Sequence, residues 1–308
     1  MIKSVTITNH LDESIVLDLF HPEESGFIIK NITGLGPAKA DVNFTELATT
    51  DGAIDNSSRL QSRNIVMSLI FLDAPEKGRL IEDCRLASYK YFPIKRKVQF
   101  LIETDRRICV TTGTVEHNEP AIFEEQEGCQ ISIMCPNPYF YSAGEDGLNK
   151  TIFYGTEPLF EFEFGNESLD ENLLIMGSIE NQTEGTVVYA GDAEVGIIIR
   201  IHAIGDVSGL TIYNIGTREI MKINDERLAE IMGSGIIAGD EITINTNKRQ
   251  KGITMLRGGK EYNILNCLDA PIAWFQLSKG DNIFVYTAEY GLYNMEFTIE
   301  NQTVYEGV

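Results

Sequence analysis

The sequence predicts a mainly β protein of two domains, built from short antiparallel strands in the manner of a sandwich or barrel. Three observations lead there. Runs rich in Val, Ile and Thr recur through the first half at intervals of about a dozen residues. The second half alternates apolar and polar positions, as in "LFEFEF" (159–164), where Phe160, Phe162 and Phe164 oppose Glu161 and Glu163. Helical spacing is confined to one clear segment in the first half and one short one in the second. A length of 308 residues is also more than one domain usually needs.

In chain order, "SIVLDLF" (14–20) and "GFIIKNI" (26–32) flank the turn-rich "HPEES", which reads as a hairpin. The stretch "NITGLGPAKADVNFTELATTDGA" (31–53) follows, with Gly34, Gly36, Pro37 and Gly52 around little apolar material. Two forms suit it, a phosphate-cradling loop or a long reaching hairpin. "NIVMSLIFL" (64–72) has strand length. "PEKGRLIEDCRLASYKYF" (75–92) places Leu80, Cys84, Ala87 and Tyr91 at spacings of 4, 3 and 4. That predicts one amphipathic helix of about four turns ending before Pro93. Strands follow at 94–104, 106–117 and 129–135.

"CPNPYFYSAGEDG" (135–147) reads as a boundary, with two prolines and two glycines around an aromatic cluster, which more often packs such a junction than stacks a ligand. It divides the chain into 1–142 and 143–308. Beyond it, "GIIIRIHA", "LTIYNI", "EITINT", "GITML", "YNILN", "NIFVYTA" and "YNMEFTIE" predict strands. "NDERLAEIMGSG" (224–235) predicts a short helix capped by Asn224 or Asp225 and stopped at Gly233. In "IAWFQLS", Trp274 alternates with Phe275, so one of the two anchors the core.

The net charge is −21. Such a surface argues against gripping nucleic acid or anionic membranes. The charge is uneven, with 20 acids and 14 bases in 1–142 against 26 and 11 in 143–308. The five cysteines match no zinc or redox spacing, which predicts reduced, buried thiols. The N-terminus has no apolar signal-peptide core, and the longest apolar runs are too short to span a bilayer.

Catalytic and cofactor patterns are missing. "GLGPA" is not G-x-G-x-x-G and there is no P-loop, so a turn is the better reading of those glycines. The histidines His10, His21, His117 and His202 are scattered, which leaves no metal motif. No nucleophile elbow or Cys–His arrangement occurs. The sequence therefore predicts no enzyme, no cofactor and no metal. One basic cluster stands out in the acidic half. Lys248, Arg249 and Lys251, with Arg257 and Lys260 further on, are candidates for docking an acidic partner, though an exposed soluble turn fits them equally well.

Taken in order, the glycine-bounded segment, "RLQSRNIVMSLIF", "GRLIEDCRLASYKYFPIKRKVQFLIETDRR" and "GTVEHNEPAIFEEQEGCQISIMCPNPYFYS" resemble the siphophage distal tail protein (Dit) family of phage tail components. "AGDEITINTNKRQKGI" and "WFQLSKGDNIFVYTAEYG" fit its closing strands. The resemblance covers nearly the whole chain. It implies an N-terminal sandwich- or barrel-like domain (1–142) with one α-helix and a long reaching hairpin, and an outward-facing C-terminal galectin-like β-sandwich (143–308).

The implied function is structural. A homo-hexameric ring at the tip of a long non-contractile tail would join the tail tube protein to the tail-tip hub, with receptor-binding or other baseplate proteins outside. DNA would pass through without specific binding. The location would be the virion tail tip, assembled in the bacterial host cytoplasm. Gly34, Pro37, Phe44, Gly52, Arg59 and Arg63 would then contribute to the subunit interface, because a segment with few apolar residues can instead pair with a neighbour. Rival readings are a monomeric carbohydrate-binding adhesion module, a tail-associated hydrolase, and a ring component of a tail-derived bacteriocin.

Overall fold

The structure is a computed structural model and describes residues 1–48, 51–144, 147–158 and 177–308. The alternating run at 159–164 lies outside these. The chain forms two compact units, Met1–Gly147 with Val304–Val308, and Leu148–Thr303. Both are mainly β.

In the first unit, β1 (Ile2–Thr8) and β2 (Ser14–Asp18) form a hairpin. Its turn is organised by Asn9, whose side-chain Oδ1 accepts from the backbone amides of Leu11 and Glu13. The expected hairpin around "HPEES" does not form. That segment is a one-turn helix, α1 (Pro22–Ser25), closed by Gly26 at φ 84°. The N-terminal residues are themselves a strand and take β2 as partner, while β3 (Phe27–Thr33) pairs elsewhere. Pro22 starts the helical turn because its missing N–H would have no partner there in any case.

Next come β4 (Ala40–Glu46), β5 (Ala53–Leu60) and β6 (Arg63–Phe71). The helix predicted over 75–92 is shorter than expected. Gly78, at φ 71°, ends a single 3₁₀ turn at Pro75–Lys77, and α2 spans Ile81–Tyr91. Cys84 and Ser88 are its buried residues, with Ile81, Ala87 and Tyr91 against the core. Leu80 is the exposed N-cap rather than part of the apolar stripe. Strands β7 (Lys97–Thr104), β8 (Ile108–Ala121), β9 (Gly128–Cys135) and β10 (Phe140–Ser142) complete the run. The main sheet has the order β2-β1-β7-β8-β9-β6-β3, with β10 beside β8. Alternate residues such as Val5, Ile7, Ile65, Met67, Phe100, Ile102, Ile131 and Ile133 build the core.

The second unit starts with β11 (Leu148–Ile152) and a pair of strands, β12 (Tyr154–Pro158) with β13 (Gly177–Asn181). Strands β14 (Glu184–Tyr189), β15 (Val195–Gly196), β16 (Ile198–Ala203), β17 (Thr211–Asn214) and β18 (Glu219–Lys222) precede α3 (Asp225–Met232). Asn224 caps α3 by accepting the Arg227 amide, and Gly233 closes it at φ 80°. Then come β19 (Glu241–Asn245), β20 (Gly252–Arg257), β21 (Lys260–Asn263), β22 (Gln276–Leu277), β23 (Gly280–Thr287) and β24 (Met295–Gln302). The expected strand "YNILN" is only half strand, since Leu265–Cys267 is a 3₁₀ turn.

The two principal sheets are β11-β24-β16-β19-β20-β21 and β14-β23-β17-β18. They pack face to face. Tyr286 of β23 stacks on Phe297 of β24 at 4.7 Å between ring centroids, and Phe153 meets Phe297 edge-on at 5.0 Å. Phe275 is the core anchor of its pair, while Trp274 stays partly exposed. The last strand, β25 (Val304–Tyr305), pairs with β10 and so belongs to the first unit.

Candidate subunit interface

The glycine-bounded segment is a hairpin. Strands β4 and β5 pair with each other as a separate two-stranded sheet, and among the described residues neither joins another strand. The register runs from Ala40 opposite Leu60 to Glu46 opposite Ala53, with one shift between Asn43 and Phe44 that leaves Asn56 as an extra residue. Almost every residue of both strands is exposed.

Cross-strand partners share a face, so the register sorts the side chains. One face carries Asp41, Asn43 and Thr45 of β4, tied across to β5. Asp41 pairs with Arg59 at 3.5 Å and accepts from Gln61. Asn43 donates to Ser57 at 3.1 Å and Asn56 to Thr45 at 2.5 Å. Ile54 is the apolar exception on this face. The opposite face carries Ala40, Val42, Phe44 and Glu46, which stand opposite Leu60, Ser58, Asp55 and Ala53. Val42 is 44 % exposed and Phe44 60 %. The hairpin thus ties one face together with polar contacts and leaves Val42 and Phe44 of β4 uncovered on the other, where Ser58 and Asp55 of β5 face them. An isolated two-stranded ribbon is marginal in water.

The root of the hairpin is fixed. Gly34 sits at φ 85°, and a Cβ there would lie 2.0 Å from the Asn64 carbonyl oxygen, so only glycine allows this approach. Gly52, immediately before β5, sits at φ 96°. Pro37, Phe44, Gly52 and Arg59 are exposed.

Arg63 corrects the sequence reading. It is not a seam residue, being only 3 % exposed. Its guanidinium donates to the carbonyls of Gly34 (2.5 Å), Gly36, Pro138 (2.8 and 2.6 Å) and Glu306 (2.6 Å). Its Cζ also lies 4.3 Å from the centroid of the Phe140 ring. Burial lowers its pKa from the usual guanidinium value. The carbonyls replace the water it has lost, and it stays charged. Its partners lie far away along the chain, and no local motif marks them.

In the second unit, Lys248, Arg249 and Lys251 are exposed, and among the described residues none forms an ion pair. The Lys251 ammonium lies 5.5 Å from the Trp274 ring centroid. Arg257 leaves the cluster. It forms a 2.5 Å ion pair with Asp240 and donates to Ser234 and Gly235, which pins the end of α3.

The described residues contain no group of three His, Cys, Asp or Glu side chains able to hold a metal ion. All five cysteines are free and buried. Among the described residues, no helix is long and apolar enough to cross a membrane. An open hollow of ≈ 510 Å³ over β3, β6, β8 and β9 is lined by groups such as Lys30, Ser68, Glu119 and Gln130.

No protein-family model and no curated protein sequence matches the chain. Solved structures do. Dit (gp 19.1) of phage SPP1, described as a paradigm of the hub adsorption apparatus in phages infecting Gram-positive hosts, aligns at a TM-score of 0.65 and 13% identity. The alignment covers 98% of this chain and 99% of that one. Chains of the phage p2 baseplate in its activated conformation, with Ca and with Sr, align at 0.47 and 0.44 with 9% and 10% identity. They cover 98% and 97% of this chain and the same shares of theirs. Over nearly its whole length, and across both units, the chain has a Dit-like fold.

Proposed function

We propose that this chain is a structural distal tail protein, whose hairpin arm lies on the next copy so that six copies close into a ring at a phage tail tip. The observation that carries this reading is the arm itself. One face is tied across by polar contacts, Val42 and Phe44 on the other are uncovered, and among the described residues it takes no part in the sheets of its own unit. A contact between two different surfaces, repeated with a closing rotation, generates a ring. The Dit-like fold supports the same role.

In this reading the first unit forms the ring, between the tail tube and the tip hub. The second, galectin-like in the family's sense, faces outward toward other baseplate proteins. Lys248, Arg249 and Lys251 form its docking patch for an acidic partner, since a basic, aromatic-backed turn on so acidic a unit attracts negative charge. The protein works by assembly rather than catalysis. A ring of strongly acidic subunits does not hold DNA phosphates, so the genome slides through. Tight DNA retention by the assembled ring at low salt would contradict that last point.

Light scattering coupled to size exclusion tests the ring, alone and with the tip hub. Wild-type protein forms a six-fold species in at least one condition and Phe44→Asp does not. A wild-type chain that stays monomeric in both, or a Phe44→Asp variant that assembles normally, overturns the reading.

A further inference from the structure

We infer that Arg63 is a positioning residue that makes the aim of the arm depend on the last residues of the chain. One guanidinium holds two segments that do not otherwise belong together. On one side are the carbonyls of Gly34 and Gly36, which begin the arm. On the other is the carbonyl of Glu306, in the segment that returns to the first unit after the whole second unit has been threaded. The third anchor, Pro138, lies in the loop before β10, the strand that pairs with β25.

A second contact links the same two segments. The Val308 amide donates to the Leu35 carbonyl at 3.1 Å. A Cβ at Gly307 would lie 3.1 Å from that same carbonyl oxygen, so the tail runs close against the arm root.

The chemistry explains why the coupling is strong. Charged donors to carbonyl oxygen are about twice as strong as neutral ones, and a buried guanidinium cannot lose its proton to escape an empty site. If either segment lifts away, the cation loses acceptors that water cannot replace without opening the core over Phe140. Arm root and tail therefore stay or leave together. A lysine would keep the charge, but it cannot span four carbonyls held in different directions by a planar fork.

The latch does not require the ring. It adds to the proposed function only in that a misdirected arm would not meet its neighbour.

Hydrogen exchange on the full chain tests it with three variants: Arg63→Lys, a deletion of residues 306–308, and the two combined. Each single change raises exchange over residues 33–39 about tenfold, the factor expected from losing one charged hydrogen bond, while β1 and β7 keep their protection. The combination adds little more, because both changes open the same latch. If Arg63→Lys does not fold, the deletion alone decides, through exchange at an arm root nearly the whole sequence away. Unchanged arm-root exchange in the deletion overturns the inference, as do independent additive effects. A protein that shows the latch but forms no ring refutes only the proposed assembly.

Discussion

Arg63 and Gly34 show how much of the arm depends on single residues. Gly34→Ala would place a Cβ against the Asn64 carbonyl oxygen and force an L side chain to φ 85°. The expected cost is more than about 1 kcal/mol, read as a lower urea midpoint with an unchanged slope. Asp240 behaves similarly in the second unit. It is 1 % exposed against Arg257, so Asp240→Ala strands a partly buried guanidinium and should cost about 3 kcal/mol. A loss below about 0.5 kcal/mol would show that the pair does not hold α3.

The thiols give a pH dependence. Burial pushes the Cys129 thiol from an ordinary 9.0 up to about 12, and burial raises the other four as well. Below pH 9 both states keep the Cys129 proton, and its contribution to stability is complete. Between about 9 and 12 the unfolded chain releases a proton that the native chain retains, so stability falls as pH rises. Urea midpoints measured upward from about pH 8 should therefore decline, and less steeply in Cys129→Ala. A Cys129→Ala slope equal to wild type would contradict this assignment.

Among the elements, the arm is the one on which the proposed assembly rests. Phe44→Ser removes apolar area that is already 60 % exposed, so the isolated chain should lose less than about 0.5 kcal/mol. Assembly should weaken far more, because each buried aromatic contributes about 1.5–3 kcal/mol and every junction in a ring loses one. Thermal unfolding measured beside sedimentation separates these effects. A large drop in monomer stability would mean that the arm packs on its own unit.

The same element shows where sequence reading succeeds and stops. Alternation exposes strands such as β6, β9 and β16, because one dry face imprints a period of two. The turn residues around 34–53 fit a loop or a hairpin alike, and it is the family resemblance that implies the hairpin. The shift at Asn56 hides which β5 residues share a face with Val42 and Phe44, so that face needs the register to be seen. The "HPEES" hairpin failed because pairing is a competition, and β1 offers β2 a nearer partner. Arg63 was assigned to the wrong surface because its Glu306 acceptor is 243 residues away. Leu80 follows helical spacing, yet Gly78 delays the helix until Leu80 can only cap it.

At the scale of the whole molecule, the proposed role is one of assembly, and the strong acidity bears on it directly. The net charge opposes self-association at long range, so ring formation should strengthen with salt until screening is complete. Docking through Lys248, Arg249 and Lys251 should weaken over the same range, because opposite charges steer it. A Lys248→Glu/Arg249→Glu/Lys251→Glu variant should keep the ring and lose the acidic partner.

Cryo-electron microscopy of a tail tip assembled with this protein tests the central claim most directly. The account expects six copies in one ring, each with its Val42 and Phe44 buried on the neighbouring copy. A reconstruction in which every arm lies on its own subunit, or stands free of any neighbour, would contradict it.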